Sequence, residues 1–120
     1  MSKQMVRFNV SLAINEGKLR EFEAIARTMI ADTEKEAGAL SYDWYFSNDG
    51  KSCRLVETYA DADAMLAHMM GPVVQDLVPK LLGVSSLADF DVYGEPGTKA
   101  TEMLKGVGTE IFQYWSGIKR

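Results

Sequence analysis

The sequence predicts an α+β fold of the ferredoxin-like kind: a βαββαβ chain order with a four-stranded antiparallel sheet and helices on one face. Three observations predict it. In the first segment apolar and polar residues alternate with a period of two. The next segment has apolar residues at the spacing of an amphipathic helix, and Asn48-Asp49-Gly50 then marks a hairpin between two strand-like segments. The length of 120 residues suits one hydrophobic core, so we expect a single compact unit.

The first predicted strand runs from Met5 to Ile14 and has one apolar and one mixed face. The apolar face carries Val6, Phe8, Val10 and Leu12. A helix then begins after a cap at Asn15, continues to Glu36 and is stopped by Gly38.

After the first helix the chain continues with two strands, a helix and a last strand. Predicted elements lie at 40–47 (strand), 53–59 (strand), 61–70 (helix) and 86–93 (strand). Asp61 is the expected helix cap. Pro79 is expected to divide the short helical segment that follows, because proline cannot donate a backbone hydrogen bond.

Residues 1–95 therefore form the predicted ferredoxin-like domain, and residues 96–120 form a C-terminal extension. The extension contains a short helix over 98–107 and then an aromatic cluster. The cluster consists of Ile111, Phe112, Tyr114 and Trp115. We expect this extension to be helical and aromatic, packing on its own domain or on a partner subunit.

A sheet with helices on one side leaves its other face open to water. We expect the apolar face of the sheet to be covered by a second copy of the chain, since a large exposed apolar surface is unfavourable. The prediction is a homodimer whose sheets pack face to face through apolar surfaces.

The composition excludes several classes of function. Lys and Arg number 13 against 17 Asp and Glu, and no basic cluster is present, so nucleic acid is not an expected partner. No stretch approaches the ~18 apolar residues of a membrane span, and MSKQMVRFNV lacks the apolar core of a signal peptide. We expect a cytoplasmic protein. One cysteine, Cys53, and one histidine, His68, cannot form a disulfide or an ordinary zinc site within one chain, so no metal is expected.

Four segments carry a family likeness: EAGALSYDWY (36–45), ETYADADAMLAHM (57–69), GPVVQDLVPKLLG (71–83) and VYGEP (92–96). Together they resemble the antibiotic biosynthesis monooxygenase (ABM) family. The ending, VYGEP followed by a helix and an aromatic stretch, is similar to the branch whose members are named quinol monooxygenases. The likeness covers roughly residues 5 to 120, and it is the order of the motifs that carries it.

The resemblance implies a dimeric α+β barrel built from two ferredoxin-like units, with a pocket in each subunit between the sheet and its helices. It also implies oxidation of small aromatic quinols or polyphenols by molecular oxygen, without a metal, flavin or other cofactor. The expected partners are a small aromatic molecule, oxygen and a second subunit.

His68 and Asn9 are the candidate catalytic residues. His68 is the only histidine, and an ordinary imidazole, with a pKa near 6.5, can accept a phenolic proton at neutral pH. Asn9 lies on the mixed face of the first strand, from which it would reach the pocket if that face is turned toward the helices. The competing interpretations are a half-buried histidine bonded to a carbonyl or to a carboxylate such as Glu57, and a strand-edge asparagine.

The candidate substrate-binding residues are Trp44, Tyr42, Tyr59, Glu57 and Met65. The aromatic rings could stack on a flat substrate, although large aromatics in strands more often belong to the core. A mid-strand carboxylate such as Glu57 needs a partner, and Arg54, Arg7 and His68 are the candidates.

Two other functions fit the same fold. One is a small-molecule binding or stress-response module without turnover. The other is haem degradation, which relatives of the resembled family carry out. Asn9 falls about where those relatives carry an asparagine in the first strand, but the tryptophan of their helix after the third strand has no counterpart here and His68 stands near that place, which disfavours haem cleavage.

Overall fold

The structure is a computed structural model that describes residues 4–120. Its elements are β1 (Val6–Ile14), α1 (Leu19–Thr33), β2 (Ala39–Phe46), β3 (Ser52–Tyr59), α2 (Ala62–Met70), a π-helical turn (Val73–Leu77), α3 (Val78–Leu81), β4 (Ser85–Tyr93), α4 (Thr98–Lys105) and β5 (Glu110–Phe112). The predicted ferredoxin-like α+β fold is confirmed.

The sheet has the strand order β2-β3-β1-β4-β5. The four predicted strands pair antiparallel, and β5 adds a fifth strand parallel to β4, so the sheet is mixed rather than purely antiparallel. Strand β5 follows α4 and returns to the sheet beside β4. The backbone N–H of Gly94, which follows β4, donates to the carbonyl of Phe112 at 2.9 Å. Ala100 and Leu104 of α4 are buried in the core, so the C-terminal extension packs on its own sheet up to β5.

The positions at which helices begin and end are explained by individual capping, proline and glycine residues rather than by the spacing of apolar residues. The Asp61 side chain caps α2 by accepting from the backbone N–H of Ala64 at 2.9 Å. The helical segment after α2 does divide at Val78, with Pro79 in the first turn of α3. The predicted Asn15 cap is wrong, because Gly17 adopts φ +76° and α1 begins only at Leu19.

The apolar face of the sheet is turned toward the chain's own helices. Val6, Phe8, Val10 and Leu12 are all buried there, beside Cys53, Leu55 and Tyr59 of β3. Phe22 of α1 packs edge-on against Trp44 and Phe46, with ring centroids 6.0 and 5.9 Å away. The predicted dimer contact through apolar sheet surfaces is therefore wrong, because the amphipathic helices need that surface for their own burial.

The other face of the sheet is mixed in character and has no helix on it. It carries Arg7, Asn9, Ser11, Asp43, Tyr45, Arg54, Val56, Thr58, Asp89 and Asp91. We call this surface the open face. Within it Arg7 donates to the hydroxyl of Thr58 at 3.1 Å.

The residues after β5 lie on the outside of the molecule. Residues 113–120 are all exposed, and Trp115 is 93% exposed. The chain thus has one tryptophan in solvent, whereas Trp44 is partly buried against the core. Across residues 4–120, the structure contains no helix with the length and apolar character needed to cross a membrane.

Candidate active site

His68 lies in the second half of α2, on the side that faces the sheet. Its residue is 2% exposed, so the imidazole lies inside the core rather than in bulk water. The cap at Asp61 fixes where α2 begins and therefore which residues of the helix point inward. Met65, one helical turn earlier on the same side, is fully buried.

The imidazole has a carboxylate on one edge. Nδ1 of His68 lies 2.8 Å from Oε1 of Glu36, which follows α1 in the loop toward β2. A carboxylate only accepts hydrogen bonds, so Nδ1 carries the proton and donates it. Glu36 is 28% exposed against 3% for the histidine side chain, so this contact links the core to the surface.

A second carboxyl group lies near the other ring nitrogen. Nε2 of His68 is 3.7 Å from Oε1 of Glu57, and the hydroxyl of Tyr59 donates to the same oxygen. Both residues are on the helix-facing side of β3, two positions apart. Burial raises the pKa of Glu57 to about 7, because the charged form loses its water. Burial, and then the charge of Glu57, also raise the pKa of Tyr59 above its ordinary range.

Aromatic rings enclose the imidazole. The rings of Tyr59 and Tyr42 have their centroids 5.2 and 5.7 Å from that of His68. Trp44 continues the wall, with its ring centroid 5.7 Å from that of Tyr42. Burial, and then the charge of Glu57, raise the pKa of Tyr42. In the described part of the chain the buried Nε1–H of Trp44 finds no acceptor.

The structure thus brings together most of the predicted site residues. His68, Glu57, Tyr59 and Tyr42 form one group, Trp44 extends it, and Met65 lies on the same face of α2. Arg54, Arg7 and His68 were the expected partners of Glu57. Of these three, the structure places His68 beside it.

Asn9 does not join this group. Its strand neighbours Phe8 and Val10 point into the core, so Asn9 points to the open face, opposite to His68. The condition on which it would have entered the pocket, a mixed face turned to the helices, is not met. Its side-chain oxygen is buried and has no hydrogen-bond partner among residues 4–120.

Glu36 is the residue that sequence reasoning missed. It precedes His68 by 32 positions, so helical or strand spacing gives no sign of the contact. One signal was available: a buried histidine needs a partner for each nitrogen, and Glu36 stands two positions before the Gly38 that ends the helical pattern.

The group can hold and move protons. It contains an imidazole between two carboxyl groups and a phenol bonded to the inner one. The two carboxyl groups lie at different ring nitrogens, so they do not converge on one point. Throughout the described residues no three His, Cys, Asp or Glu side chains are grouped to hold a metal ion.

Known proteins of this fold include several solved structures. MupZ from Pseudomonas fluorescens matches with a TM-score of 0.81 and 22% identity, covering 98% of this chain and 96% of that one. SnoaB, a cofactor-independent oxygenase from Streptomyces nogalater, matches with 0.67 and 18%, covering 78% and 95%. Protein SO0527 from Shewanella oneidensis matches with 0.64 and 25%, covering 76% and 88%. The likeness to MupZ and SnoaB shows a shared fold.

No curated protein matches the sequence. The family model described as antibiotic biosynthesis monooxygenase matches residues 5–80, which is more than half of the chain. This match includes β1 to α2 and with them every residue of the group around His68. The chain therefore belongs to the antibiotic biosynthesis monooxygenase family.

Proposed function

We propose that the protein is a cofactor-independent monooxygenase that oxidises a small aromatic quinol or polyphenol with molecular oxygen. The observation that carries the proposal is the buried imidazole of His68. Its Nδ1 is hydrogen-bonded to Oε1 of Glu36 at 2.8 Å, and aromatic rings surround it. Its family, which includes cofactor-independent oxygenases such as SnoaB, supports the same chemistry.

His68 is the general base of the proposed reaction. Its Nδ1–H is committed to Glu36, which leaves the lone pair of Nε2 to take the phenolic proton. Nε2 is 3.7 Å from Glu57, beyond hydrogen-bond distance, so a substrate hydroxyl does not have to displace an existing bond there.

Trp44, Tyr42 and Met65 are the proposed substrate contacts. The rings offer flat apolar faces for an aromatic substrate, and the unpartnered Nε1–H of Trp44 is a donor for a substrate oxygen. Entry requires side chains above the imidazole to move. The methionines of α2 have the flexible, polarisable side chains suited to such repacking, and Met70 is half exposed.

The proposed reaction balances with oxygen as the oxidant. The phenolic proton goes to His68, and the phenolate gives one electron to oxygen. The superoxide and the phenoxyl radical then combine in a C–O bond at a hydrogen-bearing ring carbon ortho or para to the phenolic oxygen, and the peroxide takes the proton back from His68. Loss of water, made from the outer OH of the peroxide and the hydrogen of that carbon, leaves a quinone, so one oxygen atom enters the product and the other leaves as water.

A homodimer in the cytoplasm completes the proposal. The open face has arginines (Arg7, Arg54) and aspartates (Asp43, Asp91) in one surface, a distribution that allows two copies to pair their charges. The free, buried Cys53 needs no oxidising compartment.

The test is oxygen consumption by the purified protein with a panel of hydroquinones and polyphenols, in the presence of a metal chelator. We expect uptake with at least one reduced naphthoquinone or polyphenol, and a loss of ~100-fold or more in His68→Ala. The matched control is Arg27→Ala, an exposed residue on the outer side of α1, which should keep full activity.

Two outcomes would contradict the proposal. If aromatic compounds bind with equal affinity to the wild-type protein and His68→Ala and no oxygen is consumed, the protein is a binding module. If oxygen is consumed equally by both, the chemistry does not use the imidazole. His68→Gln, which keeps a polar side chain of similar length, separates the loss of a base from a loss of folding.

A further inference from the structure

A proton taken up by His68 leaves a positive charge on a buried ring until the proton is returned to the peroxide. His68 is 3% exposed and Glu57 is 6% exposed, whereas the Glu36 side chain is 28% exposed. Of the two carboxyl groups beside the ring, Glu36 is therefore the one in contact with both the imidazole and water.

The loop that holds Glu36 is built to stay against α2. The N–H of Glu36 donates to the carbonyl of Thr33 at 2.9 Å, and its carbonyl accepts from the N–H of Ala39 at 3.1 Å. Gly38 then passes so close to α2 that a Cβ on it would lie 2.4 Å from the Cβ of Ala64. The position of the carboxylate is thus set by backbone contacts on both of its sides.

We infer that Glu36 is a positioning residue, whose carboxylate holds the imidazole of His68 as the Nδ1–H tautomer and stabilises the imidazolium that forms when Nε2 takes a proton. The first half of this inference concerns the resting protein and is independent of any reaction. The second half rests on the proposed oxygenase function.

The ring's surroundings explain why one tautomer needs to be imposed. The groups that face it are Glu36, from the loop after α1, Glu57 and Tyr59, from β3, and Tyr42, from β2. A neutral ring with its proton on Nε2 would turn an N–H toward Glu57 and leave no lone pair for a substrate hydroxyl. The Nδ1–H form keeps that lone pair available.

The single histidine makes the tautomer directly measurable. Labelling the protein with ¹⁵N-histidine gives one pair of ring nitrogen signals, and their couplings to the two carbon-bound ring protons tell Nδ1 from Nε2. In the neutral ring of the wild-type protein we expect a protonated Nδ1 and an unprotonated Nε2. Glu36→Ala should produce a mixture of both tautomers, whereas Glu36→Gln should keep the Nδ1–H form, because its amide oxygen still accepts. Glu34→Ala, an exposed carboxylate in the same loop, is the control and should leave both signals unchanged.

Turnover tests the second half. Glu36→Ala should lower kcat for oxygen uptake by ~10-fold or more with KM nearly unchanged, and added acetate should restore part of the loss. Glu36→Gln should also lower kcat despite its intact tautomer, because a neutral amide does not stabilise the charge of the imidazolium.

The outcomes separate this inference from the proposed function. Wild-type tautomer signals in Glu36→Ala overturn the positioning role, whether or not oxygen is consumed. A full kcat in Glu36→Gln, in a wild-type protein that does consume oxygen, overturns the role in stabilising the imidazolium. Absence of uptake in the wild-type protein contradicts the oxygenase proposal and with it that role, while the tautomer measurement still decides the rest.

Discussion

Glu57 is an acidic side chain in a place that strongly favours its neutral form. Its residue is 5% exposed, and burial raises its pKa from the ordinary 4.5 to about 7. The folded protein therefore binds a proton more tightly at this site than the unfolded chain does. An acid whose pKa is raised by folding makes the folded state less stable as the pH rises from the unfolded value through the folded value.

The stability of the protein should therefore depend on pH through Glu57. Between pH 4.5 and about 7 this group should lower the free energy of unfolding progressively, by up to ~3 kcal/mol in total, with no further loss well above pH 7. Glu57→Gln, whose carbonyl still accepts from Tyr59, should remove this loss. Chemical denaturation of both proteins at pH 5, 6, 7 and 8 measures the difference.

The expected sign is specific. The difference in unfolding free energy, Glu57→Gln minus wild type, should grow with pH over this window. Parallel stability curves for the two proteins would mean that the carboxyl group titrates alike in the folded and unfolded states. Glu23→Gln on α1 is a suitable control, because it removes a carboxylate that lies outside the group around His68.

At the residue scale, the sequence was a better guide to which side chains could take part in chemistry than to which of them are in contact. The alternation of β3 placed Glu57 and Tyr59 on one face correctly, because strand periodicity is a local property. The contact of Glu36 with His68 depends on how the loop after α1 crosses α2, which no local pattern encodes. Asn9 is predicted to reach the pocket only if the mixed face of β1 is turned toward the helices. In the structure the apolar face of β1 is turned toward the helices instead.

At the scale of elements, the contact between the loop at Gly38 and α2 determines the geometry of the candidate site. Gly38 has no positive φ, so alanine fits its backbone conformation, and the obstacle is the 2.4 Å approach to Ala64. The glycine is required here by close packing rather than by a turn.

Gly38→Ala should push the loop away from α2. We expect a destabilisation of about 1–3 kcal/mol from overpacking, together with loss of the preferred tautomer of His68 as Glu36 withdraws. Thermal unfolding and the ring nitrogen signals of His68 report the two effects separately.

A compensating change tests whether the clash is the cause. In Gly38→Ala combined with Ala64→Gly, the space is restored, so the tautomer of His68 should return. Stability should recover only in part, since a glycine inside α2 costs about 1 kcal/mol. If the double variant behaves like Gly38→Ala, the loop is displaced for another reason.

The elements themselves were largely predictable, and the exceptions have physical causes. Long periodic segments such as β1 and α1 were identified because many residues contribute to each pattern. Strand β5 was missed because Glu110–Phe112 is three residues long and pairs with a distant part of the chain, so its sequence carries too few alternating positions. The extension was expected to be helical and aromatic, and its helix α4 was found while its strand was not.

At the scale of the whole molecule, the side to which the apolar face of the sheet is turned determines which sheet surface has no helices packed on it. The apolar face is already covered by the helices of the same chain, and the open face combines charged residues with Val56 near its centre and the exposed Tyr45 and Tyr93. Alternation in β1 showed that one face was apolar but not which side the helices would take. That choice depends on the hand of the chain's connections, which periodicity does not record.

The open face should mediate dimer formation. We expect the protein to sediment as a dimer at micromolar concentrations. Val56→Glu should shift the equilibrium to the monomer, because it places a new carboxylate in the proposed contact near Asp43 and Asp91. Arg27→Glu, which changes charge on the outer side of α1, should leave the dimer intact.

Sedimentation velocity over a range of concentrations measures this equilibrium. A wild-type protein that stays monomeric at all concentrations would contradict the proposed dimer. A Val56→Glu protein that stays dimeric would place the contact on some other surface.

The two tryptophans differ in solvent contact, since Trp115 is 93% exposed and Trp44 is partly buried, and this difference gives the molecule an internal optical reporter. Trp115 should emit at long wavelength and be quenched readily by iodide, while Trp44, against the core and beside Tyr42, should emit at short wavelength and resist quenching. A Trp115→Phe protein would then fluoresce from Trp44 alone. Titration with an aromatic compound would reveal its arrival beside the imidazole without any turnover.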